Sequence, residues 1–200
     1  ADCLLSGTRD TVDGTSEAGL EDYIEEIIQS GLPGLRRCRG RALRAQHSGY
    51  LERIIDGDFE DQGIRVRRPE RLRPWINACA VATSTTASWE TSRDAATGDE
   101  QDKPARSSTL PWREALERAW VLDPVPAWLP TQNSLERLAR TPRHHLADPA
   151  LAAAALGIDA DALLSPPPLR DASPRADVLL GRLFESLLTQ SVRIYAQAAE

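Results

Sequence analysis

The amino-acid sequence predicts a mainly α protein with minor β, built as a helical bundle, and three features of the chain carry that prediction. Apolar residues recur at helical spacing near both ends, at Leu20, Tyr23, Ile24, Ile27 and Ile28 and again at Leu180, Leu183, Phe184, Leu187 and Leu188. In the middle, two helix-like runs flank the polar stretch "TGDEQDKPAR" and have the outline of a helix-turn-helix. Strand candidates are short: "PRHHLAD", and "LDPVPAWLPT", whose three prolines suit an extended sheet edge or wing better than a central strand.

Taken in order, "SGTRDTVDGTSEA" has no periodicity and reads as a loop. The first helix is expected over 19–31, with acids in its first turn and Gly31 at its end. A longer helix follows from about Arg41 to Phe59, with Leu43, His47, Tyr50, Leu51 and Ile54 on one face and Gly49 as a weak point. In "RRPERLRPWINACAVATS", Pro69 suits a first turn, whereas Pro74 lacks the N–H a regular helix needs and predicts a kink or a late start. Short helices are expected near 86–96 and 110–122, the second with Trp112, Ala115, Leu116, Ala119 and Trp120 facing inward. "NSLERLART" suggests a helical turn or two, and "PALAAAALG" a short helix closed by Gly157. "SPPPLRDASPRAD" is a Pro-rich linker, and the last helix runs from about Val178 to Ala198, with Ser191 extending its inner side. The expected organisation is an N-terminal helical segment 1–75, a middle segment 76–130 and a C-terminal segment 131–200.

Composition narrows the function classes. With 200 residues, 41% hydrophobic and 27% charged, the chain is of ordinary globular type. No run approaches the roughly 18 apolar residues of a membrane helix, and "ADCLLSGTRD" lacks the order of a signal peptide, so no membrane and a cytoplasmic location are expected. Cys3, Cys38 and Cys79 are too few and too scattered for a disulfide framework or a zinc site. The net charge of −6 disfavours non-specific nucleic-acid binding, but residues 31–75 carry eleven Arg against six acids, a basic stretch available to an anionic partner. The absence of an initiator Met suggests a piece of a longer polypeptide.

Catalytic motifs are missing. A GxxxxGK[ST] loop needs a lysine in place, and Lys103, the single lysine, is followed by Pro104. No GxSxG or HExxH occurs. His144 and His145 are adjacent in a strand-like segment, so they point to opposite faces and are not expected to share a metal; no metal site and no catalytic residue is assigned. On the helix at 110–122, Arg113 pairs with Glu117 and Glu114 with Arg118 at i,i+4, which makes that face nearly neutral and a poor match for a phosphate backbone. Any DNA contact is therefore expected at the preceding loop and helix start, through Lys103, Arg106, Ser107, Ser108 and Thr109. A protein-facing use of the same helix stays open.

Several phrases taken in order, "DYIEEIIQSGLPGLR", "GYLERIIDGDF", "TTASWETSRDAAT", "HHLADPALAAAALG" and "GRLFESLLTQSVRIYAQAAE", resemble the uncharacterised domain that follows the nucleotide-binding domain in prokaryotic AAA-type ATPases. The resemblance implies a winged-helix-like middle and a C-terminal part similar to the start of a restriction-endonuclease fold, with Glu185 as the acid of its first helix. It also implies that ATP and Mg²⁺ belong to a separate domain, and that this chain carries no cofactor and is not itself an enzyme. The expected role is a non-catalytic C-terminal module that binds DNA or a protein and is coupled to the upstream ATPase domain. Two alternatives stand beside it: a metal-dependent nuclease truncated before its active site, and an oligomerisation module that makes homo-oligomers through the apolar faces of its terminal helices.

Overall fold

The structure is a computed structural model, which describes residues 15–59, 69–96, 104–127, 141–164 and 176–199. Eight α-helices are present among the described residues: α1 (Leu20–Gln29), α2 (Gly40–Arg53), α3 (Pro69–Val81), α4 (Trp89–Ala95), α5 (Arg106–Arg118), α6 (Pro149–Ala155), α7 (Ala160–Leu164) and α8 (Ala176–Ala199). The mainly helical class is therefore realised.

Helix α1 starts where the Asp22 carboxylate accepts the Gly19 backbone N–H at 2.7 Å, and it turns Ile24 and Ile27 fully inward. It ends at Ser30, whose φ of 75° an L-residue rarely adopts. The connection to α2 is tied back by Gln29, whose side-chain amide donates to the Leu35 and Cys38 carbonyls, and by Arg36, which clamps Glu26.

Helix α2 does not break at Gly49. It gives way instead to a π turn over Ile54–Asp58. An i→i+5 turn aligns Ile54 with Phe59, and both are 1% exposed, so burial of these two side chains rewards the wider turn. Helix α3 begins at Pro69, not late, and runs through Pro74. Pro74 costs it one backbone bond; Leu72, Trp75, Ile76, Cys79 and Ala80, all buried at helical spacing, outweigh that loss.

After α3, a turn with Ser84 at φ 57° leads to three antiparallel bridges, Thr85↔His144, Leu122↔Leu146 and Val125↔Arg143. Segment 143–146 is thus flanked by Thr85 on one side and by 122–125 on the other, which is the whole of the β content among the described residues. Between Thr85 and Leu122 lie α4, capped by the Ser88 hydroxyl on the Thr91 N–H, and α5. Helix α5 starts at Arg106, four residues ahead of the sequence expectation, and Trp112, Ala115 and Leu116 face the core. Trp120 does not. It sits past the helix end at φ 55° and is 71% exposed, and Val121 and Leu122 take the inward positions in its place.

Helix α6 packs against α1, α2, α3 and α8. Its residues Ala150, Ala152 and Ala153 are buried, and Gly157, at φ 67°, closes the turn after it as expected. The short helix α7 carries Leu163 into the core and has no counterpart in the sequence expectation. On α8 the buried line is Leu179, Leu183 and Ser186, with Leu188 46% exposed, so the inner face is rotated from the expected one. Tyr23 and Phe184 meet edge to face at 5.1 Å and join α8 to α1. All of "NSLERLART" before Thr141, much of the linker "SPPPLRDASPRAD", Cys3, Lys103 and Trp128 lie outside the described residues.

Candidate functional site

Helices α3, α4 and α5 meet around a recess of about 180 Å³. Its apolar side comes from Trp75, Trp89 and Leu110, and its polar side from Glu90, Arg93, Arg106, Thr109 and Arg113. The tryptophans form a cluster: Trp75 stacks on Trp89 with centroids 6.2 Å apart, and Trp112 meets Trp75 at 6.0 Å. The Arg113 guanidinium lies over the Trp89 ring at 5.2 Å, where the face of the indole attracts a cation.

Charge in the recess is unevenly matched. Arg106 faces Glu90 at 3.8 Å, a loose pair between exposed groups, Arg93 is held by Asp94 on its own helix, and Arg113 pairs with Glu117 at 3.4 Å as expected. Among the described residues, Glu90 is the single acid lining the recess, against three arginines. Burial raises the Glu117 pKa above the usual carboxylate value against the pull of Arg113. Two donors make no hydrogen bond among the described residues: the indole N–H of Trp75, a residue 1% exposed, and Nε of Arg113, which is near Glu117 without the alignment a bond needs. A buried donor left unmade is costly, so these two groups leave the recess short of acceptors.

The residues expected to meet DNA are partly assembled here. Arg106 and Thr109 line the recess, and Ser107 and Ser108 fill the first turn of α5 beside them. All four belong to the helix proper and not to a loop before it. The Ala105 side chain does not cap this helix, and its carbonyl takes the N–H groups of Ser108 and Thr109, so the Arg106 and Ser107 N–H groups and the positive end of the dipole mark the helix start. Trp75, Arg93 and Arg113 are additions that the sequence did not indicate. An Arg–Trp pair across two helices leaves no mark in sequence spacing, although the clustering of tryptophans between 75 and 120 is visible.

Glu185 is ion-paired with Arg143, which also donates to the Ser84 carbonyl. Among the described residues no group of His, Cys, Asp and Glu is arranged to hold a metal ion. His144 and His145 do point to opposite sides. His144 meets the Ala87 carbonyl and packs edge to face on Trp89 at 4.2 Å, while His145 Nδ1 lies 3.4 Å from the Ser84 hydroxyl and 3.3 Å from that of Ser186. Burial raises the Cys79 thiol pKa far above its usual value and leaves it unreactive.

The three histidines predict an acid response. Burial lowers the pKa values of His47, His144 and His145 below the ordinary 6.5. As pH falls through 6.5 the unfolded chain takes up protons that the folded chain refuses, so stability is full above this value and declines toward the lowered folded values. The raised Glu117 pKa acts in the opposite sense only near the carboxylate range. Urea midpoints are therefore expected to fall steadily from about pH 7 to about pH 5.5; a flat or rising midpoint over that window would show that these rings are not buried as neutral species.

A second cavity of about 400 Å³ lies between α1, α2, α6 and α7, with His47 in its lining. Close to it, Asp148 ties three segments together: its carboxylate accepts the Ser30 hydroxyl at 2.5 Å, the Gly31 N–H at 2.9 Å and the Ala150 N–H at 2.9 Å. Asp before Pro149 is a readable helix cap, but its partners on Ser30 and Gly31 are more than a hundred residues away and were not legible.

No curated protein and no solved structure matches the chain. A family model matches residues 20–162, from the first residue of α1 into α7, and its description names neither an ATPase nor a nuclease. Since that match takes in most of the sequence, the chain belongs to the family described as a domain of unknown function, DUF8612.

Proposed function

We propose that this chain is a non-catalytic binding module that holds DNA at the recess between α4 and α5, and that it serves as the C-terminal module of a AAA-type ATPase. The observation that carries the DNA reading is the surplus of donors. Three arginines, each with a single carboxylate partner, lie beside the uncapped start of α5 and the unbonded N–H groups of Trp75 and Arg113. Phosphate oxygens are acceptors only and match such a surface, and Arg106 at the helix start suits contact with a backbone.

The order of elements favours the same reading. Helix α3, the Thr85 bridge, α4, α5, segment 122–125 and segment 143–146 follow one another as the parts of a winged helix do, with α5 in the place of the recognition helix. The link to an ATPase rests on the ordered phrases that resemble such proteins, and on the absence of a phosphate-binding GxxxxGK[ST] loop in this sequence.

The module reading expects no ATP turnover by this chain alone, and expects Arg106→Ala to weaken binding of a fluorescent DNA duplex about fivefold. Arg106 is exposed, so the substitution should leave the melting temperature unchanged. Equal affinity in the two proteins would remove the helix start from the interface, and ATP hydrolysis above a matched blank would overturn the non-catalytic role.

A further inference from the structure

We propose that the cavity between α1, α2, α6 and α7 is a second ligand site, and that its ligand is a small organic cation: an ammonium group on an apolar body. It shares no residue with the α4–α5 recess, and its claim does not depend on the DNA reading.

Space comes first. The cavity measures about 400 Å³, within the range of small-molecule sites. It exists because α6 presents Ala150, Ala153 and Ala154 where longer aliphatic side chains would close the gap between α1 and α2. Ile24 and Leu43, both nearly fully buried, complete an apolar floor.

Two polar features then point to a ligand and select its charge. His47 lines the cavity, is 3% exposed, and its Nε2 has no hydrogen-bond partner among the described residues. A buried ring nitrogen without a partner is an unmet demand that a ligand N–H or O–H group would satisfy. Burial keeps the imidazole neutral against the pull of Asp148, which leaves one ring nitrogen able to accept a hydrogen bond. The rim carries Glu21, Glu25, Asp159 and Asp161 against Arg39 and Arg44. Both arginines are engaged on that rim, Arg39 with Glu25 and Arg44 with Asp159, each at 3.6 Å. Glu21 on α1 and Asp161 on α7 remain as the net charge at the mouth, which favours a cation and repels a carboxylate or phosphate.

The test is calorimetric titration of the full chain at neutral pH with three probes of one chain length: n-octylamine, 1-octanol and octanoate. The proposal expects the amine to bind, the alcohol to bind more weakly and octanoate not at all, with the His47 ring resonances shifting on addition of the amine. The double variant Glu21→Gln with Asp161→Asn should weaken the amine about fivefold and leave the alcohol unchanged. Both substitutions are at exposed residues and should not disturb folding. Ala153→Leu, which fills the cavity, should abolish binding of both; should it fail to fold, the charge order and the rim variant still decide. Failure of the amine to bind, octanoate binding as tightly as the amine, or an unchanged amine affinity in the rim variant would overturn the proposal.

Discussion

Replacing Asp148 with alanine is expected to remove about 4 kcal/mol of folding stability, a large part of what holds an ordinary domain together. The residue is 3% exposed, and its carboxylate accepts from the Ser30 hydroxyl and from the N–H groups of Gly31 and Ala150. Those bonds fasten the end of α1 to the start of α6, the helix against which α1, α2, α3 and α8 pack. Alanine deletes the acceptor and leaves buried donors unpaired, and it also removes the cap of α6. An amide in place of the acid keeps one oxygen but brings an NH₂ group toward Ser30 and Gly31, so Asp148→Asn should cost about half as much. Urea unfolding measures both. A loss below about 1 kcal/mol for Asp148→Ala would mean that the connection is held by other contacts.

The second large effect is expected at Trp75. Its side chain is 1% exposed, stacks on Trp89 and meets Trp112, so Trp75→Ala opens a cavity where three helices converge and should cost about 4 kcal/mol. Trp75→Phe retains an aromatic ring and should cost only about 1 to 2 kcal/mol. It also deletes the unbonded indole N–H, so the DNA reading expects this variant to lose affinity although it remains folded. Melting curves beside binding curves separate the two roles. A Trp75→Ala protein that melts like the parent would contradict the packing, and a folded Trp75→Phe protein with full affinity would take the indole out of the site.

Most of the helices were legible because their signal is local. Ile24 and Ile27 on α1, and Leu183 on α8, stand at spacings that only an α-helix brings to one side, and both helices appear within a few residues of the expected bounds. What failed was decided by tertiary packing. Local rules predict that Pro74 delays or kinks α3; the helix starts at Pro69 without delay, because the burial of Trp75, Ile76 and Cys79 repays one missing bond within it. Periodicity places Trp120 in the core, but the helix ends before it and a left-handed residue turns it outward. The short α7 is silent in the sequence because five residues are too few to show a period.

The candidate site was half legible. Arg106 through Thr109 can be placed at a helix start from the sequence, since that position depends only on sequence order. Trp75, Arg93 and Arg113 reach the same recess from three helices, and nothing in their spacing declares it. Asp148 shows the limit in another form. Its cap is readable from the following Pro149, whereas its grip on Ser30 depends on a backbone turn with φ 75° that no local pattern predicts.

The central claim, that the α4–α5 recess holds DNA, is tested most directly by fluorescence anisotropy of a labelled duplex titrated with this chain over a series of salt concentrations. If Arg93, Arg106 and Arg113 each neutralise a phosphate, log K should fall with log salt with a slope of about −2.7, and Arg106→Ala should reduce that slope by about one unit. Absence of binding at low salt, or binding that does not weaken with salt, would contradict the account.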